Sequence, residues 1–250
     1  MLEVKNISVG YGRNTVLDGV TVSFEKGKLT SIIGVNGCGK STLLKAILGI
    51  LPLSGGTVLI DGNDLQSMSR NETAKKVAYL AQSKNTPDMT VEQMVLHGRF
   101  PYLSYPRRYR EADREMAKKA MDAVGISHLA NKPLYELSGG MRQTAYIAMA
   151  LAQDTDYILL DEPTTYLDIA HRLDLMRLLR GLANSGKGIV TVMHDLLLAF
   201  DFSDMLTAIN NGRIAIQATP NEVGGSHMIE DIFDVKIMQT QENGYFYQYS

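Results

Sequence analysis

The sequence has a single cysteine, Cys38, among 250 residues, so no intrachain disulfide can form, which fits a reducing compartment. No apolar run reaches the ~18 residues that a bilayer-spanning helix needs. Met1 is followed by Leu2-Glu3-Val4-Lys5, an alternating strand-like start and not a secretory leader. A soluble chain is expected, with any membrane role coming through a partner. Charge of either sign is nearly balanced: a net charge of −2 gives no overall bias toward nucleic acid or an acidic membrane surface. Internal repeats, linkers and low-complexity tails are also lacking, and His97, His128, His171 and His227 show no metal-ligand spacing. With 45% hydrophobic and 21% charged residues, the chain reads as one large folded domain or a core with a smaller subdomain.

Gly34-Val35-Asn36-Gly37-Cys38-Gly39-Lys40-Ser41-Thr42 fits the spacing G-x-x-x-x-G-K-[ST]. Before it, Leu29-Thr30-Ser31-Ile32-Ile33 reads as a buried strand, and after it Leu43, Leu44, Ile47 and Leu48 recur at helical spacing. Strand, glycine-rich loop and helix together describe a phosphate-binding P-loop. Glycines allow the tight turn that aims successive N–H groups inward at the positive end of the helix. Lys40 supplies a point charge for β- and γ-phosphates, and the Ser41 hydroxyl a ligand for Mg²⁺. Cys38 is either a redox-sensitive thiol in this loop or, the blander reading we favour, a small residue in a tight turn.

Upstream, Leu2 to Val9 and Val20 to Phe24 alternate with period two around a Gly10-Tyr11-Gly12 turn, predicting an antiparallel sheet. Tyr11 either stacks on a base or caps the sheet. Thr57 to Ile60 and Val77 to Leu80 are further strands, the latter ending at Gln82. From Ser83 to about Gln153 helical signals take over, with a capped start at Thr90 to Gln93 and an apolar face of Met116, Ala120, Met121 and Val124. Between those helices, residues 99–110 carry four arginines and no acid. A protein-docking surface, a solvated loop and a nucleic-acid surface are the readings, in that order.

Leu137-Ser138-Gly139-Gly140 precedes a helix expected over Met141 to Ala152, a second anion-ready N-terminus that alone could be a mere N-cap turn. Tyr157 to Leu160 is an apolar strand delivering Asp161 and Glu162 to its C-terminal edge, where α/β sheets bind ligands. Asp161 suits Mg²⁺ and Glu162 a general base. Asp168 follows shortly, and Ile189 to Met193 is a strand with His194 at its end, placed to donate to a γ-phosphate or simply structural. A hairpin over residues 205–217, a short helix near Ser226 to Phe233 and weakly strand-like residues finish the chain.

P-loop, strand-end glutamine, Leu-Ser-Gly-Gly, Asp-Glu-Pro, Leu-Asp and strand-end histidine occur here in one order, from about residue 2 to 220, and that order resembles the ATP-binding cassette ATPases. The resemblance implies an α/β P-loop NTPase fold. Its core is a RecA-like mixed sheet with an antiparallel β subdomain, residues 1–82 and 154–250, with an inserted helical subdomain over 83–153. It implies ATP and Mg²⁺ as bound species. Tyr11 would stack on adenine, while Lys40, Ser41 and Thr42 would bind phosphate and Mg²⁺. Gln82 would contact metal and water, Asp161 metal, Glu162 would be the base and His194 would sense the γ-phosphate. Ser138, Gly139 and Gly140 would close the nucleotide site of a second copy in a head-to-tail, ATP-sandwiched homodimer, with Asp168 across that interface.

Gly98-Arg99-Phe100-Pro101, the run from Asp161 to His171, and Met193-His194-Asp195-Leu196 look like the ATPases of iron-siderophore, haem and cobalamin importers. That likeness implies two integral-membrane permease subunits, an extracytoplasmic substrate-binding protein reached indirectly, a peripheral position on the cytoplasmic side of the inner membrane, and no nucleic-acid partner. Met141 replaces the glutamine usual after Leu-Ser-Gly-Gly, and Thr144 stands where arginine is frequent. A soluble cassette ATPase acting on nucleic acid or ribosomes is the alternative, with a non-hydrolysing nucleotide-gated scaffold third.

Overall fold

The computed structural model describes residues 1–82, 86–165, 167–240 and 244–249. Ser83, where the helical segment is expected to begin, and Tyr166 within the Asp161 to His171 run lie outside the described residues.

Strands β3 (Leu29–Ile33), β7 (Tyr157–Asp161) and β8 (Gly188–Val192) are buried at every position. Continuous β-branched and apolar runs of this kind suit a parallel sheet covered on both faces. They sit centrally in a six-stranded sheet with β6 (Val77–Leu80), β9 (Met205–Asn210) and β10 (Arg213–Ala218), in the order β10-β9-β3-β8-β7-β6. The neighbouring pairs are parallel except β10 with β9, a hairpin whose turn residues Asn211 and Gly212 both have positive φ, +47° and +75°.

The second sheet is antiparallel, β2-β1-β4-β5, built from β1 (Leu2–Tyr11), β2 (Asn14–Phe24), β4 (Gly55–Ile60) and β5 (Asn63–Asp64). The expected Gly10-Tyr11-Gly12 turn is corrected here: Gly10 pairs with Thr15 and Tyr11 with Asn14, leaving only Gly12 and Arg13 to turn. A Cβ on Gly10 would lie 2.0 Å from the Asn14 carbonyl oxygen, so this glycine serves a close strand approach. Within β1 the buried set switches from Leu2 and Val4 to Ile7 and Val9 across a register shift at Asn6, whose φ is +50°.

Helix α1 (Lys40–Ile47) packs Leu43, Leu44 and Ile47 between the two sheets. After α2 (Arg70–Lys76), the segment from residue 86 to 153 holds three α-helices, α3 (Val91–His97), α4 (Glu111–Ala123) and α5 (Gly139–Ala152). The capping box at Thr90 and Gln93 is present. The buried face of α4 is Asp113, Ala117, Ala120 and Met121, with Met116 and Val124 only half-buried. Asp113 is tolerated inside because the Arg99 guanidinium meets it at 3.2 Å. Helix α5 starts at Gly139, two residues earlier than expected, because Ser138 caps it by accepting from the Met141 N–H at 3.3 Å.

Helices α6 (Ile169–Asn184) and α7 (Leu196–Phe202) cover the same sheet face, sharing one buried cluster with Val95, Ile147 and Leu160. The chain ends in α8 (Pro220–Gly224), α9 (Met228–Phe233) and a hairpin of β11 (Val235–Gln239) and β12 (Tyr245–Tyr249). Tyr245 packs edge-on to Phe200, tying that hairpin to α7. No helix among the described residues is long and apolar enough to cross a membrane.

Candidate functional site

The loop between β3 and α1 carries the phosphate-binding motif. Gly34 has φ +154°, and a Cβ there would meet the Ile209 oxygen at 2.4 Å and Cys38 Sγ at 2.6 Å. Gly39, at the N-cap of α1, has φ +113° and no room beside Leu17. Both positions therefore demand glycine on backbone and packing grounds. Val35, Asn36 and Gly37 form the exposed crest, while Thr42 is buried. The Lys40 ammonium is buried and donates to the carbonyls of Gly34 at 2.8 Å and Val35 at 3.0 Å, which holds it over the loop. Burial pushes the Cys38 thiol up despite the opposing charge of Lys40, which disfavours thiolate chemistry.

Strand β7 brings Asp161 to the same sheet edge. The Ser41 hydroxyl donates to Asp161 Oδ1 at 2.9 Å, and the Tyr79 hydroxyl to Oδ2 at 3.3 Å. Burial raises the Asp161 carboxyl above its ordinary value, against the two donors, and the neighbouring Glu162 charge adds to the rise. Tyr79 is raised in turn, by burial first and then by Asp161, and the ring of Tyr11 stands half-exposed at the end of β1.

Glu162 leaves the strand with φ +52°, an uncommon conformation for a residue with a side chain. Its Oε2 accepts from Gln82 Nε2 at 2.7 Å and from Thr165 Oγ1 at 3.3 Å, and its Oε1 lies 2.6 Å from His194 Nε2. Ser41, Gln82, Asp161, Glu162 and His194 therefore come together at the C-terminal edge of β3, β6, β7 and β8, as the motif order predicts. A hydroxyl and a carboxylate side by side form a hard-oxygen pair suited to a divalent cation that also holds phosphate oxygens. Among the described residues no cluster of histidine, cysteine and acidic residues could hold a metal unaided.

Ser138, Gly139 and Gly140 open α5, and Asp168 caps α6 by accepting from the His171 N–H at 2.9 Å. These two helix starts are neighbours, because the His171 ring lies against Gly140. Sequence reasoning missed Tyr79, Thr165 and His171. A tyrosine inside an otherwise apolar strand ending at the ligand edge was the available signal for Tyr79. Thr165 could have been found as the hydroxyl three residues after the proposed base.

The family description "ABC transporter" matches residues 17–165. The ferric enterobactin transport ATP-binding protein FepC of Escherichia coli (strain K12) is 43% identical over 240 residues, covering 95% of this chain and 88% of its own. The petrobactin import ATP-binding protein FpuD of Bacillus anthracis is 42% identical over 234 residues, covering 93% and 86%. Among solved structures, a chain of an ABC transporter described as of metal-chelate type, in an inward-facing conformation, superposes with a TM-score of 0.85 at 26% identity, covering 100% of this chain and 98% of the other. A dimeric bacterial ABC transporter cassette, MJ0796, gives 0.76 at 28% identity, covering 88% and 99%.

Proposed function

The chain belongs to the ABC transporter family as an ATP-hydrolysing subunit, and from that membership we propose that it powers an importer of iron-siderophore chelates. The observation that carries the substrate class is the likeness, over nearly the whole chain, to FepC and FpuD, whose names specify ferric enterobactin transport and petrobactin import. Haem and cobalamin chelates are the neighbouring cargoes within the same subfamily resemblance.

In this reading the loop from Gly34 through Asn36, Gly37, Cys38 and Gly39 wraps the triphosphate with its N–H groups. Lys40 and Thr42 bind phosphate oxygens, and the half-exposed ring of Tyr11 stacks on adenine. Ser41, Asp161 and Gln82 would hold Mg²⁺, which would neutralise charge on the phosphate oxygens. Glu162 orients the attacking water and takes its proton as the oxygen joins the γ-phosphorus and the bond to the β-phosphate oxygen breaks, giving ADP and phosphate. His194 pairs with the Glu162 carboxylate through Nε2 and senses the γ-phosphate when ATP binds. Ser138, Gly139, Gly140 and Asp168 face the nucleotide of a second, head-to-tail copy, so that ATP binding closes the pair and hydrolysis opens it.

The permeases would dock on the groove of about 670 Å³ between the α1–β4 connection and α2, lined by Leu48, Ile50, Leu51, Leu53, Met68 and Tyr79. Its apolar lining suits a short amphipathic segment of a membrane protein. The chain then sits peripherally on the cytoplasmic face of the membrane, with residues 83–153 acting as a helical subdomain beside the docked permease, and an extracytoplasmic binding protein engaging the far side. Affinity purification of the tagged chain from detergent-solubilised native cells tests this directly. A multi-spanning polypeptide in equal amount, together with loss of ferric-siderophore uptake on deletion, is expected. Ribosomal proteins or nucleic acid in its place would overturn the importer reading.

A further inference from the structure

We propose that His171 is a positioning residue that locks Asp168 and the first turn of α5 into one rigid unit, so that both reach the partner's nucleotide together. The inference rests on the ATP-sandwiched dimer proposed above. Its basis is one ring with two engaged edges. On one edge, His171 Nδ1 lies 2.7 Å from Asp168 Oδ1, the same oxygen that accepts the His171 backbone N–H at 2.9 Å. A carboxylate only accepts, so Nδ1 is the nitrogen that carries the proton and the ring orientation is fixed.

The opposite edge faces Gly140. A Cβ built there would lie 2.7 Å from Cδ2, 3.0 Å from Cγ and 3.3 Å from Nε2 of His171, its three nearest heavy atoms. Gly140 has ordinary helical backbone, so glycine is needed here for approach to the ring and not for its dihedral freedom. The first turn of α5 is itself braced, since Thr144 Oγ1 donates to the Gly140 oxygen at 3.0 Å and Ser138 caps the Met141 N–H. Any displacement of Asp168 therefore pulls the ring, and the ring carries the start of α5.

Core filling does not explain the histidine, whose side chain is 51% exposed. It stands instead at the rim of a cleft of about 300 Å³ shared with Met141, Thr144, Leu167 and Asp174. Thr144 bonds within its own helix, so the ring of His171 is what meets Gly140 from α6.

The test uses the full chain carrying Glu162→Gln, which holds ATP without turnover, with ATP-dependent self-association measured by sedimentation. Adding His171→Ala is expected to weaken association on the order of tenfold, while ATP affinity of the single chain and the melting temperature of the nucleotide-free chain stay unchanged. His171→Asn, which keeps a donor for Asp168 but removes the ring, should weaken association as much as alanine. Gly140→Ala should also weaken it, and combining Gly140→Ala with His171→Ala should recover part of the loss, because the new methyl then has room. Unchanged association in the His171 variants, or strictly additive losses in the double variant, overturns the inference alone. Failure of the Glu162→Gln chain to associate with ATP at all overturns the dimer reading and the inference with it.

Discussion

The Tyr79 hydroxyl donates to Asp161 Oδ2 across 3.3 Å, while the ring of the same tyrosine lines the apolar groove beside α2. One side chain thus touches both the carboxylate beside the P-loop serine and the proposed permease-docking surface. Tyr79→Phe keeps the ring in the groove and removes only the donor. A hydrogen bond to a charged group at this length contributes about 1 kcal/mol, so roughly a fivefold rise in the Mg²⁺ concentration for half-maximal ATPase is expected. A Mg²⁺ titration of ATP hydrolysis measures it, and an unshifted midpoint would remove Tyr79 from the site.

Asp161 illustrates a conflict between stability and chemistry. Its carboxyl is raised chiefly by burial, so the folded chain binds this proton more tightly than the unfolded chain does. In chelator-treated protein the charged form is therefore destabilising at neutral pH, and stability attributable to this group rises as pH falls through the folded value. Asp161→Asn should stabilise the chelator-treated chain by about 1 kcal/mol at pH ~7, with the advantage shrinking on acidification. The same variant should lose ATP hydrolysis. Denaturant unfolding at two pH values, alongside an ATPase assay, separates the two effects.

Asp61 has the opposite sign. Burial would raise it, but hydrogen bonds and charge from the Met1 ammonium and Lys26 prevail and lower it from 3.8 to about 2. Those contacts are 2.8 Å and 3.0 Å, and Lys26 also reaches Asp156 at 3.0 Å, joining the antiparallel sheet to the start of β7. A depressed folded value gives stability that is complete above the unfolded value and is lost as pH falls through the folded one. Discounted for solvent screening, Asp61→Asn should cost about 1 kcal/mol at neutral pH. Wild type and variant should converge between pH ~4 and ~2, and unfolding curves across that range check it.

The parts of this molecule legible in its sequence are those specified locally. The β-branched run before Gly34, the glycine spacing and the Thr90–Gln93 capping box each need only neighbours a few residues away. The true length of β1 was not legible, because Gly10 and Gly12 around Tyr11 read as a turn, whereas Gly10 lies in the strand for its close approach to Asn14. The β11–β12 hairpin read only as weakly strand-like for another reason: Ile237 is the one buried residue of β11, so its apolar pattern is weak. Within the site, Glu162 and His194 could be placed from strand-end positions alone. Tyr79 with Asp161 is a contact 82 residues apart, and His171 against Gly140 depends on how α6 packs on α5, which no local pattern encodes.

Glu162 is the residue on which the hydrolytic chemistry depends most directly. Gln82 and Thr165 both donate to its Oε2, so that oxygen is committed to holding the side chain in place, while Oε1 faces His194 at 2.6 Å. In Glu162→Gln the amide oxygen can still accept from Gln82 and Thr165, and the new NH₂ can donate to His194 Nε2 once the ring takes the tautomer with its proton on Nδ1, so the geometry survives while the proton acceptor is gone. Mg-ATP affinity should therefore stay within about threefold of wild type, and turnover should fall by ~10²–10⁴. Equilibrium nucleotide binding and steady-state ATPase rates, read on the same preparation, decide the matter. Near-normal turnover would assign the proton to another acceptor, and loss of binding would mean that the carboxylate holds the site together and is not its base.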